Sequence, residues 1–154
     1  MKRITIAQAF TIAAITLLAL GLAPTANAKG CSNATLKGTF AEKDTGFIPN
    51  PPPANPSLFA GVNLDTFDGK GTITAIGFAT VDGNGAPQTE IGTYTVNPDC
   101  TGTYEVQISP GGFTAHAFFV IDDGGNEIQA LCTDPGVVLH HIFRRQFPAN
   151  DWRQ

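Results

Sequence analysis

Three histidines, three cysteines and a handful of acids on alternating segments are the residues whose types could do chemistry in this chain. His140 and His141 are adjacent on an extended segment, so their side chains point to opposite faces and cannot easily share one metal. His116 lies between Ala115 and Ala117 in an otherwise apolar segment. It reads either as an acid–base group or ligand contact in a cavity, or as a surface histidine with a hydrogen-bond partner. Among the acids, Asp65, Glu90 and Glu105 fall on alternating segments. Asp65 shares a face with Phe59 and Phe67, and Glu90 shares a register with Tyr94, so either could point into a lumen. Glu105 falls with Thr103 and Gln107 on a wet face. Two carboxyls facing each other are what glycoside hydrolysis needs; solvated acids on an outer face are the plainer alternative. The candidate ligand contacts are therefore His116, Glu90, Asp65 and Tyr94, and no catalytic residue emerges.

Other chemistries are set aside directly. The serines are Ser32, Ser57 and Ser109, none in a Gly-x-Ser-x-Gly elbow, which argues against a serine hydrolase. Cys132 has apolar neighbours, which raise a thiol's pKa rather than activate it. No two cysteines have zinc-site spacing. The clusters "DGNG" at 82–85 and "DDGGNE" at 122–127 offer oxygen ligands, but the twelfth position from Asp82 is Thr93, not the bidentate Glu of a calcium loop. They read as hairpin turns. Neither a metal nor a cofactor is expected.

The elements that must position these residues are strands. Alternating segments occur at 34–41, 58–68, 71–82, 88–96, 101–108, 113–122, 127–133 and 136–147, with Asp-Gly, Asn-Gly and Pro-Gly turns between them. Asp-Gly and Asn-Gly supply the positive φ that tight hairpins need. Eight short strands at regular spacing imply an all-β sandwich or barrel, with helices short or absent. The stretch "GFIPNPPPANPSLF" (46–59) is the exception: its five prolines bar a central strand. It reads as an extended surface connection, or as a semi-rigid flap over one mouth of a barrel.

The ends bound the compartment. Lys2 and Arg3 precede an apolar run, and Ala26-Asn27-Ala28 closes it, the pattern of a signal peptide over residues 1–28. A lipoprotein is disfavoured because Lys29 stands two residues before Cys31. Residues 29–154 then form one β domain of 126 residues, secreted or periplasmic, with seven basic and thirteen acidic side chains. That acidity disfavours nucleic acid and anionic membranes as partners, and no membrane insertion is expected after cleavage.

An oxidising compartment favours disulfides, and three cysteines leave one over. In "GTYTVNPDCTGTYEVQI" (92–108), Cys100 sits in the turn of a hairpin whose packed face carries Tyr94, Val96, Tyr104, Val106 and Ile108. A bridge from Cys31 would pin the mature terminus to that hairpin. Cys132 shares a strand face with Ile128 and Ala130 and reads as a buried thiol; pairing of Cys132 with Cys100 is the alternative.

"CSNATLKGTF", "GTYTVNPDCTGT" and "TDPGVVLHHIFRRQ" together resemble a group of small exported bacterial proteins that open with Cys-Ser-Asn-x-x-Leu-x-Gly-x-Tyr/Phe. The first and middle cysteines of that group match Cys31 and Cys100. The group is similar to allene oxide cyclase-like barrels, which implies an eight-stranded antiparallel, calycin-like barrel related in shape to lipocalins. Proteins of that shape include cyclases, dirigent proteins and ligand binders, and a shared fold does not transfer function.

Three functional readings follow. The leading one is a barrel that binds a small apolar ligand in its lumen, since eight strands enclose just enough room for side chains or one small ligand. The second is a cofactor-free cyclase or isomerase working in that cavity. The third is a filled barrel acting as a structural or surface interaction module, with ten phenylalanines in residues 29–154 available as filling. The C-terminal Arg144, Arg145, Trp152 and Arg153 read as an ordinary solvated tail or a contact surface.

Overall fold

A computed structural model describes residues 30–51 and 54–147. The segment 1–28 that reads as a signal peptide, Pro52, Pro53, Trp152 and Arg153 lie outside the described residues. Eight strands follow in chain order: β1 Gly38–Ile48, β2 Ser57–Phe67, β3 Thr72–Val81, β4 Asn84–Val96, β5 Thr101–Ser109, β6 Phe113–Asp122, β7 Glu127–Cys132 and β8 Val138–Arg145. Each pairs antiparallel with the next, and β8 pairs with β1, which closes the sheet into a barrel. Closure leaves no strand edge unpaired, the arrangement that removes the main aggregation hazard of a sheet. The sandwich alternative is excluded. Among the described residues helix is confined to two short 3-10 turns, Asn33–Leu36 and Asp123–Gly125. No helix among the described residues is long and apolar enough to cross a membrane.

The tight turns use the expected chemistry. Asp82 and Gly83 both take positive φ (49° and 84°) between β3 and β4, the pair of left-handed residues that a two-residue hairpin needs. The first strand differs from its sequence reading of 34–41. Residues 34–36 coil into the 3-10 turn, and the strand runs on to Ile48. It was hard to see because its inward positions after Phe40 are Glu42 and Asp44, so the polar–apolar alternation inverts.

The two ends of the lumen are unlike. At one end Phe40, Phe67, Tyr94 and Phe143 meet edge to face around Phe67, with ring centroids 5.0–6.1 Å apart. Ile73, Phe119 and Ile128 complete this packed half. The 3-10 turn plugs it from below: Leu36 is fully buried. Asn33 accepts from the Val96 backbone N–H at 2.8 Å, and its carbonyl accepts from the Tyr94 hydroxyl at 3.0 Å. The Arg145 guanidinium lies 4.4 Å from the Phe40 ring centroid and donates to the carbonyls of Thr35, Lys37 and Gly125. The Cys31–Cys100 disulfide fastens the plug to the β4–β5 turn, where Cys100 takes φ 67°. Cys132 is unpaired. Every residue of "CSNATLKGTF" for which the structure gives a clear role therefore holds the closed end.

Candidate functional site

The other half of the lumen is open. A cavity of about 600 Å3 enters from the mouth bounded by Ile48, Pro49, Asn50, Pro110 and Val137. Its walls are apolar, from Phe59 on β2, Ala79 and Val81 on β3, Val106 and Ile108 on β5, and Leu139 on β8. The Pro-rich connection is thus part of the mouth at its described start, Pro49 and Asn50. The cavity exists because inward positions on neighbouring strands are small: Ala79 pairs with Ala86, and Ala115 faces Val106.

The floor is polar. Glu42, Asp44, Gln88, Glu90, Tyr104 and His141 line it. Asp44 stands directly across from His141 on the β1–β8 ladder and from Gly61 on the β1–β2 ladder. His141 Nδ1 donates to Glu42 Oε1 at 2.8 Å, leaving Nε2 as the ring nitrogen available to a ligand. Asn63 Nδ2 donates to Glu42 Oε2 and, at 3.3 Å, to Glu90 Oε1. Gln88 Nε2 donates to Asn63 Oδ1 and Glu90 Oε1, both at 3.1 Å. These contacts reach across β3 because its intervening residues are Ala75 and Gly77; a side chain at 77 would collide with Asn63. Behind the floor, Asp65 is fully buried with neither oxygen hydrogen-bonded, and Asp44 Oδ1 is likewise buried and unpartnered.

Burial and crowding raise the proton affinity of three carboxyls here, Asp44, Asp65 and Glu90. Burial, then the charges of Glu42, Glu90 and Asp44, push Asp65 up to about 10. Burial, then Glu42 and Asp44, raise Glu90 to about 8. Burial and Glu42 raise Asp44 to about 6, against the opposing pull of His141. Burial also holds the Tyr104 phenol well above its ordinary value. At neutral pH Glu90 on the floor and Asp65 behind it therefore hold their protons while Asp44 is ionised, an acid and an anion within one small space. Glu42, Asp44 and His141 bring ligand atoms within 4.8 Å of one another, a spacing that admits a cation.

The four sequence candidates separate. Glu90 is on the cavity floor and Asp65 directly behind it. Tyr94 is in the packed half, outside the cavity lining, with its hydroxyl spent on Asn33. His116 is at the rim on an outward strand position, half-exposed, with Nδ1 2.8 Å from Asp134 Oδ1 and Nε2 3.4 Å from Glu105 Oε2. The Asp134 contact raises its pKa, with a smaller opposing effect of burial. Cys132 lines the cavity beside this rim, and its thiol donates to Asp134 Oδ2 at 3.3 Å rather than to the histidine. Burial raises that thiol's pKa, which removes it as a nucleophile.

Sequence reasoning missed Glu42, Asp44, Asn63, Gln88 and His141 as a group. The available signal was the small inward residues, Gly61, Ala75 and Gly77, each paired with a polar residue: Gly61 with Asp44, Ala75 with Asp65 and Gly77 with Asn63. Compared with known proteins, the chain matches no family model, no curated protein and no solved structure.

Proposed function

We propose that this chain is an exported ligand-binding barrel that holds a small molecule in its lumen, the apolar body along the walls and a polar head on the floor. The observation that carries this reading is the cavity of about 600 Å3, apolar-walled and open at one mouth above a packed closed end. Its volume and its few convergent polar groups are those of a small-molecule site. Export draws on the signal-peptide pattern of residues 1–28, and the Cys31–Cys100 disulfide suits an oxidising compartment. The test is to purify the protein from its own culture medium and compare native and denatured masses. Extra mass only in the native spectrum is expected. Apoprotein alone, with no uptake of any ligand from a lipid extract of that culture, overturns the reading.

A second reading has an observation of its own. Glu90, held neutral by burial, and a Glu42-oriented imidazole share one floor. An acid and a base so placed suit a cofactor-free isomerase or cyclase acting on the same apolar ligand. Its test is conversion of the ligand recovered from the lumen, with His141→Asn losing conversion while keeping binding. The interaction-module reading would use the outward Val62, Ile76, Phe78 and Ile91, all exposed on β2–β4. It called for a filled lumen, and the cavity weighs against it.

A further inference from the structure

From the donor shortage on the cavity floor, we infer that the head group the lumen takes is a cation bearing N–H donors, an alkylammonium carried on an apolar chain. This inference rests on the lumen-binding reading above and names its ligand class.

Four carboxyl groups meet here: Glu42, Asp44, Asp65 and Glu90. Few donors reach them. Asn63 serves Glu42 and Glu90, Gln88 serves Glu90, and His141 serves Glu42. None reaches Asp44 Oδ1 or either oxygen of Asp65, and all three atoms are buried. Among the described residues lining the cavity there is no lysine or arginine. The nearest inward guanidinium, Arg145, is committed to the carbonyls of the plug at the opposite end. Buried polar atoms are normally satisfied, so the orphaned Asp44 Oδ1 on the lining of an apolar cup describes what is missing, while Asp65 behind the floor keeps its own proton. An ammonium supplies both deficits together: positive charge beside the Asp44 carboxylate, and donors for its unpartnered Oδ1. A carboxylate head would add another anion and no donor. A hydroxyl would bring one donor and no charge. Glu42, Asp44 and His141 are spaced for a bare cation, but Glu42 and His141 are hydrogen-bonded to each other, and the apolar walls above them match a chain rather than a hydrated ion.

The test is calorimetric titration of the purified protein, at neutral pH and physiological salt, with octylamine, octanol and octanoate. The chain is constant and only the head differs. Octylamine is expected to bind at least tenfold tighter than octanol, and octanoate weakest. Asp44→Asn is expected to lose most of that preference while octylamine and octanol both still bind, which also reports an intact cavity. Octanol binding as tightly as octylamine, or octanoate binding best, overturns the cation assignment and leaves lumen binding standing. An octylamine preference untouched by Asp44→Asn also overturns it, because attraction to the acidic surface then explains the preference. If none of the three binds, the lumen-binding reading itself fails.

Discussion

Asp44 and Gly61 face each other across the β1–β2 ladder, and the Asp44 carboxylate occupies the space that a side chain at 61 would need. The glycine is what lets a charged side chain lie flat inside a barrel wall. Gly61→Val drives its methyls into that carboxylate, and overpacking of this kind costs about 1–3 kcal/mol. The expected result is a lower urea midpoint together with a loss of octylamine affinity similar to that of Asp44→Asn. Unchanged stability and binding in Gly61→Val would mean that the floor has slack the geometry does not show.

Stability is expected to fall as pH rises from 5 to 8. Asp65, Glu90 and Asp44 all have folded pKa values raised above their unfolded ones, to about 10, 8 and 6. The folded state then holds protons that the unfolded state has released. A group raised in this way contributes its full stability below its unfolded pKa and loses it as pH climbs through the folded value. Each contributes a slope of up to about 1.4 kcal/mol per pH unit in its window. The groups facing Asp65 are Glu42, Asp44, Glu90 and Tyr104, with His141 the one basic group in the cluster. His116, also raised, adds a change of the same sign from the rim. Asp68 has the opposite sign, but its pKa of about 2 puts its effect below this range. Asp65→Asn separates the contributions: it is expected to flatten the slope above pH 5 and stabilise the barrel at pH 8. Urea unfolding at four pH values checks this, and a parallel slope in the variant would show that Asp65 is not the source.

The closed end and the site respond to different changes. Cys31 and Cys100 are 69 residues apart, and the chain-entropy model gives their bridge about 4 kcal/mol. Replacing both with serine is expected to lower the thermal midpoint by many degrees. Ligand affinity, measured well below that midpoint, should hold, because the bridge fastens the plug opposite the mouth. An equal loss of affinity would tie the plug to the cavity.

What the sequence made legible follows from where burial is apolar. Seven of the eight strands, the hairpin turns and the disulfide were readable because inward Phe, Tyr, Val and Ile alternate with outward Thr, Glu and Gln, as in β5. The site was not, because it is built from the opposite pattern. Along the middle of β1 and β2, between Phe40, Phe59 and Phe67, the inward residues include Glu42, Asp44, Asn63 and Asp65, while Val62 and Leu64 face out. Alternation gives the two faces of a strand without saying which is inside, and burying acids defeats the usual rule for choosing. Only Asp65 and Glu90 were recoverable, since each shares a face with aromatic residues.

Glu42 is the residue on which the rest of the floor depends, and removing its charge tests the whole electrostatic account. Its carboxylate is among the causes that raise Asp65, Glu90 and Asp44, second only to burial in each case. It also holds His141 through Nδ1 and takes a donor from Asn63. Glu42→Gln keeps the shape and removes the anion. Titration of the side-chain carboxyl carbons by NMR is then expected to show all three acids moving down toward ordinary carboxylate values. Asp65 should stay the highest, because burial rather than Glu42 is its larger cause. If the three titrations do not move, their proton affinity comes from burial alone and the floor is not a coupled cluster. If they move together, the four carboxyls act as one acidic unit, and a ligand cation placed among them would shift every member at once.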